Sequence, residues 1–502
     1  MRKGKVWLVG TGPGNLGLLT LKAAETIKDA DLIVYDALIG DSLFSLFPKD
    51  AEYINVGKRS GHHTMPQEQI NRVLLDGARE GKKVVRLKGG DPFLFGRGGE
   101  ELELLAENDI PYEIVPGVTS PIAVPAYNGI PVTHRDYASS LHIITGHRRT
   151  DSDKEIDFEA LVRMGGTLVF LMGISRLPFI CEGLLKAGID PDLPAAVLQQ
   201  GTTAGQKRIV ATVSTLTEEV ERQGVETPAV IIVGEVCRLA DEFAWYEKLP
   251  LAGSRVIVTR PRGMISGMAE RLRKLGAEVL ELPSIETVPR KNQTPLLEAL
   301  GQIDTYRWIV FTSPTGVRVF LDVLRESGRD LRSLAGTKIA AIGAGSRKAL
   351  AENNILADFV PSVYDGETLG RELAKLIVRG DRILLPRAAV GNQKLVEELE
   401  KAGAVVSDIP TYDTTDSRQD LIDETRLFEN GKIDCAVFTS ASTVRGFAER
   451  NPGLDFSLVR AACIGRQTRA CAESFGMKAY MSEEATMDSL TELVLSLKGE
   501  LL

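Results

Sequence analysis

Val85-Arg-Leu-Lys-Gly-Gly-Asp-Pro-Phe-Leu-Phe-Gly-Arg-Gly-Gly-Glu100 begins as a β-branched strand, breaks into a glycine-rich loop and runs into the amphipathic segment Glu100–Glu107. A strand that opens through such a loop into a helix is half of a βαβ unit. The same succession recurs along the chain. Val6–Val9, Asp31–Tyr35, Val84–Leu87, Leu141–Thr145, Leu168–Met172 and Val230–Val233 read as buried strands, and Glu68–Leu75 and Glu100–Glu107 carry apolar residues at helical spacing. The pattern is that of an α/β protein, and crossover connections predict mostly parallel sheets.

The chain has 502 residues, 43% of them hydrophobic, which at about 150 residues per domain predicts three to four domains. A formal charge of −8 argues against a sequence-independent grip on nucleic-acid phosphates. The N-terminal apolar run is broken at once by Gly10, Gly12, Pro13 and Gly14, so it reads as a first strand and not as a signal peptide. No apolar run approaches the roughly eighteen residues of a membrane helix. Cys181, Cys237, Cys435, Cys463 and Cys471 form no C-x-x-C pair, and the five histidines, 62, 63, 134, 142 and 147, have no zinc-binding spacing. The expectation is a soluble, cytoplasmic protein without a metal site.

A new strand, Val256–Thr259, follows the stretch 241–254, which puts a boundary near 248. Beyond it lies an internal repeat at an offset of 127 residues. It pairs Val256-Ile-Val-Thr-Arg with Ile383-Leu-Leu-Pro-Arg, and Phe311-Thr-Ser-Pro-Thr-Gly-Val-Arg with Phe438-Thr-Ser-Ala-Ser-Thr-Val-Arg. Two similar α/β domains are implied, and the repeat by itself suggests tandem ones. Each Phe-Thr-Ser ends a strand and starts a helix. Thr312, Ser313, Thr439 and Ser440 thus offer hydroxyls and free N–H groups to carboxylates, with both copies expected on one gap, while each serine also suits a plain N-cap.

Gly12-Pro-Gly-Asn-Leu-Gly17, with Asp36 ending the next strand, fits a dinucleotide-binding fingerprint. A nicotinamide-dependent oxidoreductase is therefore one reading, although Pro13 removes an N–H from a loop meant to present N–H groups.

In series, Val9-Gly-Thr-Gly-Pro-Gly, Tyr35-Asp36, Val56-Gly-Lys-Arg, the run 85–100, Pro116-Gly-Val-Thr-Ser, Gly129-Ile-Pro-Val-Thr-His-Arg-Asp and Phe170-Leu-Met-Gly resemble the uroporphyrinogen-III C-methyltransferases of the tetrapyrrole methylase family. The resemblance covers nearly all of residues 1–245. It implies two α/β subdomains around a cleft, a homodimer, and S-adenosyl-L-methionine as methyl donor, leaving as S-adenosyl-L-homocysteine. By position it puts the cofactor against Pro13, Gly89, Gly90, Asp91, Leu94, Thr119, Ser120, Met172 and Gly201, and assigns Asp36 as proton acceptor and Lys58 as proton donor. Asp36 as a helix N-cap and Lys58 as a solvated charge are the simpler readings. Arg59, Arg86, Lys88 and Arg97, around the same loops, suit the acetates and propionates of the macrocycle, and arginine forks are natural carboxylate clamps.

The second half resembles uroporphyrinogen-III synthase through Val258-Thr-Arg-Pro, Phe311-Thr-Ser-Pro, Ala341-Ile-Gly, Asp365-Gly-Glu-Thr-Leu, Leu385-Pro-Arg and the second Phe-Thr-Ser. That resemblance implies a two-domain α/β fold without a cofactor. It divides the chain into 1–247 and 248–502, the latter as one domain of 251–285 plus 413–502 and another of 286–412. Tyr412, whose repeat counterpart is Ile285, is the candidate that helps hydroxide leave hydroxymethylbilane; a tyrosine packed at a hinge is the plain alternative. The combined reading is a fusion that makes uroporphyrinogen III and methylates it twice to precorrin-2, leaving the cobalamin and sirohaem branches open. A tetrapyrrole-binding regulator without activity is the other alternative.

Overall fold

The computed structural model describes residues 4–57, 65–146, 156–259, 266–282, 285–389, 391, 393–416 and 421–499. Among them lie four five-stranded sheets.

The first sheet contains β1 (Lys5–Gly10), β2 (Leu32–Tyr35), β3 (Glu52–Asn55), β4 (Lys83–Lys88) and β5 (Tyr112–Val115), ordered β3-β2-β4-β1-β5, with every neighbouring pair parallel. Helices Leu21–Lys28, Gln67–Arg79 and Gly98–Glu107 make crossovers. The glycine loops after β1 and β4 clasp each other: Gly12 N donates to Gly90 O at 3.2 Å and Gly90 N to Gly12 O at 2.7 Å. Both glycines have positive φ, +75° and +68°, a conformation that costs glycine nothing. The Gly12 N–H that a dinucleotide pyrophosphate would need is thus already donated within the fold.

The second sheet contains β6 (Leu141–Thr145), β7 (Thr167–Leu171), β8 (Pro194–Gln199), β9 (Lys207–Thr212) and β10 (Ala229–Val233), ordered β6-β7-β10-β8-β9. Here the expectation of mostly parallel sheets is corrected: only β6 and β7 run parallel, and the other three pairs are antiparallel. The link 200–206 is too short for a crossover, so β9 must fold straight back along β8.

In the C-terminal half, β11 (Arg255–Val258) and β12 (Glu278–Glu281) precede β13 (Ile285–Pro289), β14 (Trp308–Phe311), β15 (Lys338–Ala341), β16 (Arg382–Ala388) and β17 (Val405–Asp416); β18 (Cys435–Phe438), β19 (Arg460–Cys463) and β20 (Lys478–Met481) follow. The third sheet is ordered β12-β11-β18-β19-β20 and the fourth β13-β17-β16-β14-β15. The chain therefore leaves the third sheet after β12, builds the fourth and returns. The repeated units are nested, not tandem. β13 and β17 run side by side as the two antiparallel connections, pairing Pro289 with Tyr412.

The halves are packed on each other as well as linked. Tyr246 is buried against Tyr127, ring centroids 5.0 Å apart, and its hydroxyl donates to Gly276 O across the boundary. Leu421 packs on the apolar cluster around Tyr35 and Phe47.

Candidate functional site

A cavity of about 580 Å³ opens where loops at the strand ends of the first two sheets converge. Ligands of open α/β sheets sit in such a crevice outside the carboxyl ends of the strands. Pro13 follows β1, Asp36 follows β2, Gly89, Leu94 and Arg97 follow β4, Ser120 starts the helix Ser120–Tyr127, Met172 follows β7 and Gly201 follows β8; all line this cavity. Met172 was expected to end its strand but lies one residue beyond it, at φ +55°. Left-handed backbone is costly for a side-chain-bearing residue. Here it leaves a thioether half exposed at the cavity wall, and Phe95, also at φ +55°, adds an aromatic ring. Phe95, unlike Met172, is not among the residues that the sequence placed at the cofactor.

Gly90, Asp91 and Thr119 serve the loops themselves. The Asp91 carboxylate accepts from Phe93 N and Leu94 N on one oxygen and from Gly117 N on the other, at 2.8 to 3.1 Å. Both oxygens thus pin the loop. Thr119 is the N-cap residue of Ser120–Tyr127.

The Asp36 carboxylate caps no helix. One oxygen accepts from Leu38 N at 3.1 Å and the other lies 3.4 Å from the Arg86 guanidinium. Lys58 and Arg59 lie outside the described residues. Arg97 lines the cavity while pairing with Glu100.

Arg86 and Lys88, expected to meet substrate carboxylates, also line the cavity. They are buried and share one acceptor, Glu101 Oε1, at 3.2 and 2.7 Å. Glu101 has no solvent exposure. Burial and the neighbouring Arg86 charge push the Lys88 ammonium below its ordinary pKa, against the pull of Glu101. Sequence reasoning passed over Glu101 because it sits among Glu100, Glu103 and Glu107 on one helix and only the packed fold separates them.

In the fourth sheet Tyr412 is buried at 5% exposure, and its hydroxyl lies 2.7 Å from Ser313 Oγ. Burial raises the phenol's pKa and the Ser313 bond lowers it less, so it stays protonated at neutral pH. Ser313 Oγ also caps Pro314–Glu326 by accepting from Gly316 N at 2.9 Å. Capping and contact with Tyr412 are thus compatible in one hydroxyl. Ser440 caps Ala441–Arg450 in the same way and bonds Ser442 Oγ at 2.8 Å. Thr312 and Thr439 are half-buried beside them. Nearby, Arg387 is buried in a two-pronged pair with Asp408, at 2.7 and 2.5 Å.

Two family models match the chain: Tetrapyrrole (Corrin/Porphyrin) Methylases over residues 5–217, and Uroporphyrinogen-III synthase HemD over residues 266–492. The porphyrin biosynthesis protein HemD of Ruminiclostridium josui is 42% identical over 499 residues, 99% of each chain. The uroporphyrinogen-III C-methyltransferase of Bacillus subtilis is 39% identical over 353 residues, 70% of this chain and 71% of its own. A solved uroporphyrin-III C-methyl transferase from Thermus thermophilus, complexed with S-adenyl homocysteine, is 39% identical and covers 47% of this chain and 94% of its own, with a TM-score of 0.41.

Proposed function

This chain belongs to the family of porphyrin biosynthesis proteins that join a tetrapyrrole methylase to a uroporphyrinogen-III synthase, and from that membership we propose that it closes hydroxymethylbilane to uroporphyrinogen III and methylates the product twice, giving precorrin-2. It is a bifunctional enzyme of tetrapyrrole biosynthesis. The observation that carries the methyltransferase reading is the single cavity that gathers Pro13, Gly89, Leu94, Ser120, Met172 and Gly201 around Asp36. Backbone glycine and half-exposed thioether and aromatic side chains fit a nucleoside thioether, and S-adenosylmethionine, when bound, supplies the methyl group as a sulfonium.

The protein's own part is positioning, which supplies most of the acceleration in an in-line transfer between two held partners. Asp36 accepts the proton released from the methylated carbon. Its carboxylate is oriented by Leu38 N and lies beside Arg86. Lys58 is the proton donor on the strength of the family pattern. Gly90, Asp91 and Thr119 shape the donor loops, and Arg59 and Arg97 meet substrate carboxylates.

In the synthase half, Tyr412 donates its proton to the departing hydroxide of hydroxymethylbilane, which leaves as water; the azafulvenium that remains closes the ring with inversion of the last pyrrole and releases a proton that restores the phenol. Ser313 orients the Tyr412 hydroxyl, and Thr312, Thr439 and Ser440 meet substrate carboxylates at the helix starts. The proposal includes a division at 247/248, synthase domains of 251–285 plus 413–502 and 286–412, a homodimer through the methyltransferase half, and a cytoplasmic location.

The test is an anaerobic assay on hydroxymethylbilane with and without S-adenosylmethionine. Formation of the type III isomer, dimethylated when the donor is added, is expected; the spontaneous type I ring alone would remove the synthase assignment. Tyr412→Phe should lower synthase turnover about a hundredfold, while losing one hydrogen bond should cost at most about 1.5 kcal/mol of stability. Unchanged turnover would return Tyr412 to a packing role.

A further inference from the structure

The methyl-transfer cavity is not walled by the methylase half alone. Arg255, the first residue of β11, and Glu278, the first of β12, come from the synthase half and line it too. A second cavity of about 740 Å³ lies between the halves, and Asp41, Gln200 and Arg255 line both cavities. Arg255 therefore stands where the two spaces meet.

Its bonds are uneven. Nη2 holds both Glu278 oxygens, at 2.9 and 3.1 Å, and Glu278 Oε2 is fixed in turn by Ala204 N at 2.9 Å. Nη1 faces Asp41 Oδ2 at 3.7 Å, too long for a hydrogen bond. The guanidinium is anchored on one prong and weakly engaged on the other. Two carboxylates share this one cation, so Asp41 is poorly compensated, and burial raises its pKa beyond what Arg255 lowers. Among the described residues, the buried cations Arg86 and Lys88 that also line the cavity are engaged by Glu101, and Arg86 by Asp36 as well.

We propose that Arg255 is a substrate-positioning residue of the methyltransferase contributed by the synthase half, which exchanges its long contact with Asp41 for a carboxylate of the incoming macrocycle. The inference rests on the methyltransferase reading above. Glu278 keeps the fork aimed, and a substrate acetate or propionate takes the Nη1 prong, the planar match for which arginine is suited. Asp41 is then a competitor for the prong and not a support for it.

That competition gives a test a mere latch between the halves would fail. The full-length chain is assayed anaerobically on supplied uroporphyrinogen III. Arg255→Ala should raise KM about tenfold or more with a smaller change in kcat, and Arg255→Lys should recover part of the loss as a charge without a fork. Asp41→Asn should move KM the other way, lowering it about two- to threefold, because the cation is released to the substrate. A variant damaged in folding cannot bind its substrate more tightly. If Arg255→Ala leaves KM unchanged, or if both variants shift KM in the same direction, Arg255 is a structural tie and the inference fails while the methyltransferase reading stands. A wild-type chain that does not methylate uroporphyrinogen III overturns that reading and this inference together.

Discussion

Glu101 carries more of the methylase half than any residue its motifs advertise. Arg86 and Lys88 are buried, and a single Glu101 oxygen takes a bond from each. Removing one member of a buried charge cluster leaves the others uncompensated, which costs about 3–5 kcal/mol. Glu101→Gln keeps the shape and removes the charge, so hydrogen exchange across β4 should lose protection by that order. Glu100→Gln, one residue earlier on the exposed side and paired with exposed Arg97, should change stability by less than about 0.5 kcal/mol. Equal effects would mean that the cluster does not hold the strand. Nothing in Glu100-Glu-Leu-Glu distinguishes the two carboxylates before folding, since both sit on a helix whose polar face is acidic. Asp91 is ambiguous in the same way: an Asp after Gly-Gly suits a ligand and a turn equally, and its bond from Gly117 N appears only in the fold. The positions of Asp36 and Tyr412, at a strand end and in a return connection, were legible for the opposite reason, while their roles rest on the family resemblance.

At the scale of elements, the Phe-Thr-Ser strand ends could be read in advance because capping is local chemistry: a hydroxyl three residues before an unsatisfied N–H caps a helix in any fold. Strand direction was not legible. The runs Ala195–Leu198 and Val230–Val233 are buried on both faces, so they carry no alternation, and apolar content alone looks parallel. The same burial makes the third sheet sensitive to alkali. Cys435 on β18 and Cys463 on β19 are buried, and burial pushes both thiols up to about 12. The unfolded thiols ionise near 9 while the folded ones do not. The native state then holds more protons, and stability falls as pH rises from about 9 toward 12. Each thiol contributes a slope of up to about 1.4 kcal/mol per pH unit. Urea unfolding followed between pH 8 and 10 by exchange at β18 and β19 should steepen above pH 9, and the Cys435→Ala/Cys463→Ala pair should flatten that slope while lowering the baseline. An unaltered slope would place the alkaline loss elsewhere.

For the whole molecule, the question is whether two enzymes share a chain or a structure. The restart of strand pattern at Val256 suggests a boundary near 248, but nothing local marks the contact between the halves, because Tyr246 and Glu278 look like ordinary linker and strand residues until the fold brings them to it. In the fold, the linker is threaded through the contact: Tyr246 is buried between Tyr127 and Gly276, where burial lifts its phenol to about 12. Glu278 joins the halves most directly, taking Ala204 N from the methylase side and Arg255 from its own. Truncating it leaves a half-buried guanidinium beside Asp41 alone and an amide without its acceptor, a loss of about 2–3 kcal/mol spread over the contact. Glu278→Ala should therefore speed exchange at 200–206 and along β11 by about tenfold or more. The amides of β6 and β7, on the far side of the second sheet, should exchange as in the wild type. If the loop 200–206 exchanges no faster, the halves are independent bodies and the shared wall of the methyl-transfer cavity is a resting contact. If it does, the synthase half holds in place the loop that walls the methylase cavity, and the two halves share a structure as well as a chain.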